Sequence, residues 1–144
     1  TPDAIQAVLR ACTGLRTLYL SSCVGVNDAT VDVLAQHCFD IQELYLSFCK
    51  DVTDASLINL SQHCTELRVL NLGTHAHLLS LTLPLTFFVV FCSGCVNITD
   101  KSVKQLTKRA TKLTTLYFGQ CNNLTEKSLR KISIHCGNRL ISLE

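Results

Sequence analysis

Charge is scarce in this chain, and what there is nearly cancels. Charged residues make up 17% of the 144 positions, and the formal net charge is +2. That balance gives no case for nucleic acid or a membrane surface as partner. Long apolar runs are missing as well. The uncharged stretch Leu78 to Cys92 is 15 residues and is interrupted by Pro84, short of the roughly 18 that suggest a membrane span. No signal-peptide or transit pattern is legible at the N-terminus. There is no glycine-rich phosphate loop and no serine nucleophile elbow, so neither phosphoryl nor serine acyl chemistry is indicated. The chain is not expected to be an enzyme by itself, and no cofactor is expected.

What the chain has instead is one phrase said several times. Leu15, Ile41 and Leu67 open units 26 residues apart, Leu113 opens the next after 46, and Leu140 another after 27. Taking out Thr74 to Ser93 restores 46 to 26, and such a period marks a repeat architecture. The openings read LRTLYLSSC, IQELYLSFC, LRVLNLG followed by GC, and LTTLYFGQC. Within them Leu18-Tyr19-Leu20, Leu44-Tyr45-Leu46, Leu70-Asn71-Leu72 and Leu116-Tyr117-Phe118 alternate with the period of two that belongs to a strand.

After each strand comes a helix signal. Asn27-Asp28, Thr53-Asp54, Thr99-Asp100 and Thr125-Glu126 place a side-chain oxygen where the first free helical amides need an acceptor, with an acid on the favourable side of the dipole. Val31/Leu34/Cys38, Leu57/Leu60/Cys64, Val103/Leu106/Ala110 and Leu129/Ile132/Cys136 then form one stripe at i, i+3 and i+7. A single strand–loop–helix unit cannot bury its own leucines, so neighbours must stack, strands pairing in parallel and helices lining the other side. Each buried Leu, Ile or Val contributes roughly 1.5 to 3 kcal/mol, but only once the next unit covers it. The expected fold is therefore α/β, a leucine-rich-repeat solenoid with parallel strands on the concave face and helices on the convex face.

The chain divides as a single array: residues 1–14 as the helix of a partial repeat, repeats at 15–40, 41–66, 67–112 with an insert at 74–93, and 113–139, and the start of another at 140–144. Neither end shows the polar capping unit of a solenoid, which leads us to expect a fragment of a longer protein. Cys12, Cys38, Cys64 and Cys136 close helices, while Cys23, Cys49, Cys95 and Cys121 fill the strand-to-loop turn. Recurring once per turn, they read as small buried hydrophobes rather than disulfide or metal partners. Reduced thiols imply cytosol or nucleus. His37, His63 and His135 precede helix-ending cysteines, where an imidazole suits the dipole; no turn supplies the paired close spacing of a zinc site. A Cys–His dyad would need an accessible thiolate, and every in-register cysteine is expected to be buried.

Repeats that end each helix on Cys and carry I/V-T-D before it resemble those of F-box leucine-rich-repeat proteins. The resemblance covers the chain apart from residues 74–93. That family supplies the substrate-recognition subunits of SCF-type ubiquitin ligases. The resemblance implies a protein substrate on the concave face, with adaptor and cullin bound through an F-box absent from this chain. Two other readings stay open: a non-ligase interaction scaffold with the same repeats, and a truncated or mis-spliced product with no function of its own.

Two features interrupt the pattern. The insert, with its Phe-Phe-Val-Val-Phe run, reads either as a hydrophobic flap or as a translated intron, since pyrimidine-rich DNA ending in AG encodes such residues before Gly and GT can spell its start. On the third full repeat's helix, Lys101, Lys104, Lys108, Arg109 and Lys112 form a basic strip, either a solvated convex face or a contact for an acidic partner.

The candidate binding residues lie on the strand face turned away from the leucines: Arg16, Thr17 and Tyr19; Gln42, Glu43, Tyr45 and Phe48; Arg68 and Asn71; Thr115, Tyr117 and Gln120. Parallel strands lie about 4.8 Å apart, so Tyr19 and Tyr45 are neighbours in a row continued by Asn71 and Tyr117. Tyrosine and arginine are the residue types that dominate protein interfaces, although tyrosine also has strand propensity of its own.

Overall fold

In a computed structural model of the chain, residues 1–73 and 94–143 are described. The readings made of the insert, with His75 and His77, lie outside the described residues.

Strand and helix alternate along the described residues. Among the described residues the order is α1 (Pro2–Ala11), β1 (Thr17–Tyr19), α2 (Asp28–His37), β2 (Glu43–Tyr45), α3 (Asp54–His63), β3 (Val69–Asn71), α4 (Asp100–Arg109), β4 (Thr115–Tyr117), α5 (Glu126–Cys136) and β5 (Ser142–Leu143). The five strands form one parallel sheet in chain order. Thr17 pairs with Glu43, Glu43 with Val69, Val69 with Thr115 and Thr115 with Ser142. The architecture is thus α/β, a parallel sheet whose register repeats the spacing of the sequence.

The caps form where the residue types demand. Asn27 Oδ1 accepts the Thr30 amide at 3.1 Å, and the Thr53, Thr99 and Thr125 hydroxyls accept amides two residues on at 3.2 to 3.3 Å. Between sheet and helices runs one core. Leu44, Leu70 and Leu116 from the strands and Leu34, Leu57, Leu60 and Leu106 from the helices are fully buried. The helix α5 ends at Gly137, which stays right-handed (φ −50, ψ −40); the Arg139 guanidinium covers carbonyls at the ends of α4 and α5, reaching Ala110 O at 3.3 Å and His135 O at 2.5 Å.

The turn after each strand explains how a long insertion is tolerated. The amides of Cys23, Cys49 and Cys121 each donate to the carbonyl three residues back, at 3.1, 3.1 and 2.8 Å. In the third repeat the Cys95 amide makes the same bond to Leu72 at 2.9 Å, so Gly73 and Gly94 occupy the two turn positions between them. A side chain at Gly73 would collide with the backbone of Gly119, which is why a residue without Cβ stands there. Ser22, Phe48 and Gln120, at the second turn position of their own repeats, have φ of 60 to 65°, a left-handed conformation uncommon outside glycine.

Cysteine burial depends on position in the array. Cys38, Cys49, Cys64, Cys95, Cys121 and Cys136 are buried, but Cys23 is half-buried and Cys12 exposed. The expectation that every in-register cysteine is buried thus fails at the first unit. Five of the six buried thiols reach back to a carbonyl of the preceding repeat, among them Cys49 to Leu20 O at 3.3 Å and Cys95 to Leu46 O at 3.2 Å, and no described unit stands before Cys12. Leu129 likewise departs from its stripe, being 57% exposed at the other end of the array.

Candidate interaction face

The sheet face away from the helices is built by backbone stitching between repeats. Arg16 O accepts the amides of Gln42 and Glu43, Gln42 O those of Arg68 and Val69, and Arg68 O those of Thr114 and Thr115, at 2.7 to 3.0 Å. The strands are only two or three residues long, so pairing continues outside them and holds the flanking side chains in register. This places Thr17, Glu43 and Thr115 in one row and Tyr19, Tyr45 and Tyr117 in another.

Tyr19 and Tyr45 meet as stacked rings, centroids 4.4 Å apart and planes 14° from parallel. Tyr19 remains 67% exposed, so the pair presents an aromatic surface that is already ordered. The Tyr45 hydroxyl donates to Glu43 Oε2 at 3.3 Å. Burial, the nearby Glu43 charge and Tyr19 push the phenol of Tyr45 up to about 12, so it is a donor throughout the neutral range. Arg16, Thr17, Arg68 and Gln120 are exposed, and Gln42, Glu43, Phe48, Thr115 and Tyr117 half-buried.

Asn71 is the exception in its row and corrects the expected site. It is only 2% exposed. Its Oδ1 accepts the Gly73 amide at 3.1 Å and lies 2.9 Å from Ser47 Oγ, whose single hydroxyl proton it shares with Gly73 O. A buried amide oxygen with two donors holds a turn in place; it is not offered to a partner.

A second set of polar residues went unseen in the sequence. Besides standing in the first turn of its own helix, the acid opening α2, α3 and α4 reaches across to the next repeat. Asp28 accepts from the Thr53 amide at 2.8 Å, the Thr53 hydroxyl at 2.7 Å and the Ser56 hydroxyl at 2.5 Å. Asp54 holds Thr99 at 2.7 and 2.5 Å, and Asp100 holds Thr125 at 2.9 and 2.6 Å and Ser128 at 2.5 Å. Partial burial acts to raise the Asp28 and Asp100 carboxyls, but the hydrogen bonds from Ser and Thr outweigh it and both lie below the ordinary 3.8. The signal available was the recurrence of Thr-Asp at the repeat period, which fits a contact between units as well as a cap. Among the described residues no cluster of three His, Cys, Asp or Glu could hold a metal ion, and no helix is long and apolar enough to cross a membrane.

The fold is thus an α/β array of alternating strands and helices carrying an ordered aromatic pair on its open sheet face. No family model matches the chain, and no curated protein does. Solved structures do match. A chain of the Rad7 and Elc1 complex of yeast is similar over 99% of this chain at a TM-score of 0.65 and 18% identity. The tropomodulin C-terminal domain of Caenorhabditis elegans is similar over 99% of this chain and 80% of its own at 0.60 and 13% identity. At such identities the likeness is one of fold. This chain spans 35% of the length of the matched chain of the yeast complex.

Proposed function

We propose that the chain is a leucine-rich-repeat solenoid of the cysteine-containing type, and that its concave sheet face is a non-catalytic binding surface for another protein. The observation that carries this reading is the stacked pair Tyr19 and Tyr45. Two rings fixed against each other lose little side-chain freedom on binding, which keeps the cost of association down. The flanking Arg16, Arg68 and Glu43 supply charge of both signs for orientation. In finer form, the parent protein captures a substrate for ubiquitylation in the cytosol or nucleus, with an F-box binding adaptor and cullin. The cysteine-ended repeats support that version, as does the fold's occurrence in a protein complex of yeast.

The test is affinity capture from lysate with the wild-type chain in its full-length parent and with Tyr19→Ala/Tyr45→Ala, compared by quantitative mass spectrometry. A concave-face ligand is lost from the variant, its affinity lowered by about 1 to 4 kcal/mol. Adaptor and cullin are retained by both if the ligase version holds; their absence beside a tyrosine-dependent partner moves the reading to a plain interaction scaffold. Every partner surviving the double variant would sink the binding face itself.

A further inference from the structure

Charge is unevenly spread along the array. Residues 1–73 contain four Lys and Arg against eight Asp and Glu, whereas residues 94–144 contain nine against three, and 74–93 contain none. A chain that is nearly neutral as a whole is therefore −4 in one part and +6 in the other.

The repeat register converts this into surface. Equivalent helix positions stack in rows across the array, and three rows face outward. The first runs Ala29, Ala55, Lys101, Lys127 and the second Asp32, Ile58, Lys104, Arg130. The third runs Gln36, Gln62, Lys108, Ile134. Cations thus begin at α4 and continue onto α5. Lys101, Lys104, Lys108, Lys127 and Arg130 are all exposed, and Ile134 among them is 69% exposed. Neighbouring helix axes lie about 8–10 Å apart, and residues three or four apart on one helix share a face, so the five cations form one continuous patch.

Four of the five cations in the patch are unneutralised. Arg130 has Glu126 only at 3.8 Å, with both side chains at least three-quarters exposed. Among the described residues Lys101, Lys104, Lys108 and Lys127 have no ion-pair partner. Lys112, one of the five basic residues in the strip, drops out of it because it is paired with Glu66 at 2.6 Å. Repulsion among uncompensated cations costs stability, and an acidic ligand relieves it.

We propose that the outward face of α4 and α5 docks an acidic protein segment, a run of Asp and Glu side chains with an apolar residue seated on Ile134. Other anions fit less well. Single-stranded nucleic acid calls for aromatic platforms, and neither helix contains Phe, Tyr or Trp. Sequence-specific reading of duplex DNA uses a helix that enters a groove, whereas α4 packs between α3 and α5 in one layer. A bilayer is broad enough to meet the neighbouring helices too, where the same rows carry Asp32, Gln36 and Ala55 rather than cations. A narrow acidic segment can follow α4 and α5 alone. This surface is independent of the sheet face, which lies on the other side of the core.

The experiment is fluorescence anisotropy of a labelled peptide of ten glutamates with one central leucine, titrated with the whole chain. Lys104→Glu/Lys127→Glu is expected to weaken binding at least about tenfold, and Lys104→Gln/Lys127→Gln by a smaller factor. Arg10→Glu/Lys50→Glu changes net charge as much as the first pair but lies off the patch; it leaves affinity within about twofold. Tyr19→Ala/Tyr45→Ala leaves it unchanged, which separates this surface from the concave face. The glutamine pair, which introduces no new charge, decides the matter should the glutamate pair fail to give a folded circular-dichroism spectrum. The proposal is overturned if the wild-type chain does not bind the peptide, or if the Arg10/Lys50 pair loses as much as the Lys104/Lys127 pair. Tighter binding to a DNA duplex or to phosphatidylserine vesicles than to the peptide overturns it too.

Discussion

The inner repeat Ile41–Glu66 and the outer units at either end share one pattern and differ in what it achieves. Leu57 and Leu129 hold the same place in their helices, yet one is fully buried and the other 57% exposed. Cys64 and Cys12 both close helices, yet one is 1% exposed and the other open to solvent. Asp28, Asp54 and Asp100 each clamp the next repeat's cap, whereas among the described residues Glu126 meets only Arg130, on its own helix at 3.8 Å. In a quasi-one-dimensional array a side chain is buried by its neighbour and not by its own unit.

Thiol chemistry gives the largest contrast. Burial pushes Cys64 up to about 12, and it is reached only when the array opens, so an alkylating reagent at neutral pH should label Cys12 faster than Cys64 by about a thousandfold or more. Comparable rates, read by mass spectrometry of the labelled peptides, would mean that solvent reaches Cys64 as readily as Cys12.

Next in size is packing. Leu57→Ala should cost about 2–5 kcal/mol in chemical denaturation, while Leu129→Ala, half in water already, should cost about 1 kcal/mol or less. Equal losses would show that the end of the array is covered in solution.

The acid clamp ranks third. Asp28→Ala leaves the Thr53 amide and two hydroxyls without their acceptor, an expected loss of about 1–3 kcal/mol, against a change within about 0.5 kcal/mol for Glu126→Ala. The sign of the pH dependence follows. The carboxyls of Asp28 and Asp100 are lowered in the folded chain, so their contribution is present above the ordinary 3.8 and is lost as pH falls through the folded values. Unfolding midpoints should therefore drop below about pH 4, and less steeply in Asp28→Asn/Asp100→Asn. At the alkaline end the direction reverses. Burial raises Cys49 and Cys121 from 9.0 to about 11, keeping them neutral, so stability is full below pH 9.0 and declines as pH rises toward 11.

The smallest change is expected at the insertion point. Joining Gly73 directly to Gly94 turns the existing Leu72–Cys95 bond into the same turn the other repeats make. It should leave the far-ultraviolet circular dichroism spectrum unaltered in shape, with stability raised by about 1 kcal/mol through a shorter closed loop. Loss of helical signal would mean that the third repeat depends on the segment between them.

Much of this was legible beforehand. Leucine spacing announced the strands, Thr-Asp and Asn-Asp the helix starts, and the tyrosine row the open face. Asn71 escaped because it shares its register position with Tyr19, Tyr45 and Tyr117; the pattern assigns a face but not whether a neighbouring Ser47 hydroxyl will draw the side chain inward. Lys127 and Arg130 escaped because a strip read along one helix says nothing of the helix beside it. The Asp clamps escaped because a cap within one helix and a clamp between two use the same residue pair.

Periodicity and capping act over a few residues, and these were enough to set the order of strands and helices and their parallel stacking. Which leucines are dry, which thiols are inert, which polar groups are occupied and which cations stand together depended on the unit next door. Burial and hydrogen-bond satisfaction are properties of contacts between repeats, and those contacts exist only once the chain has stacked.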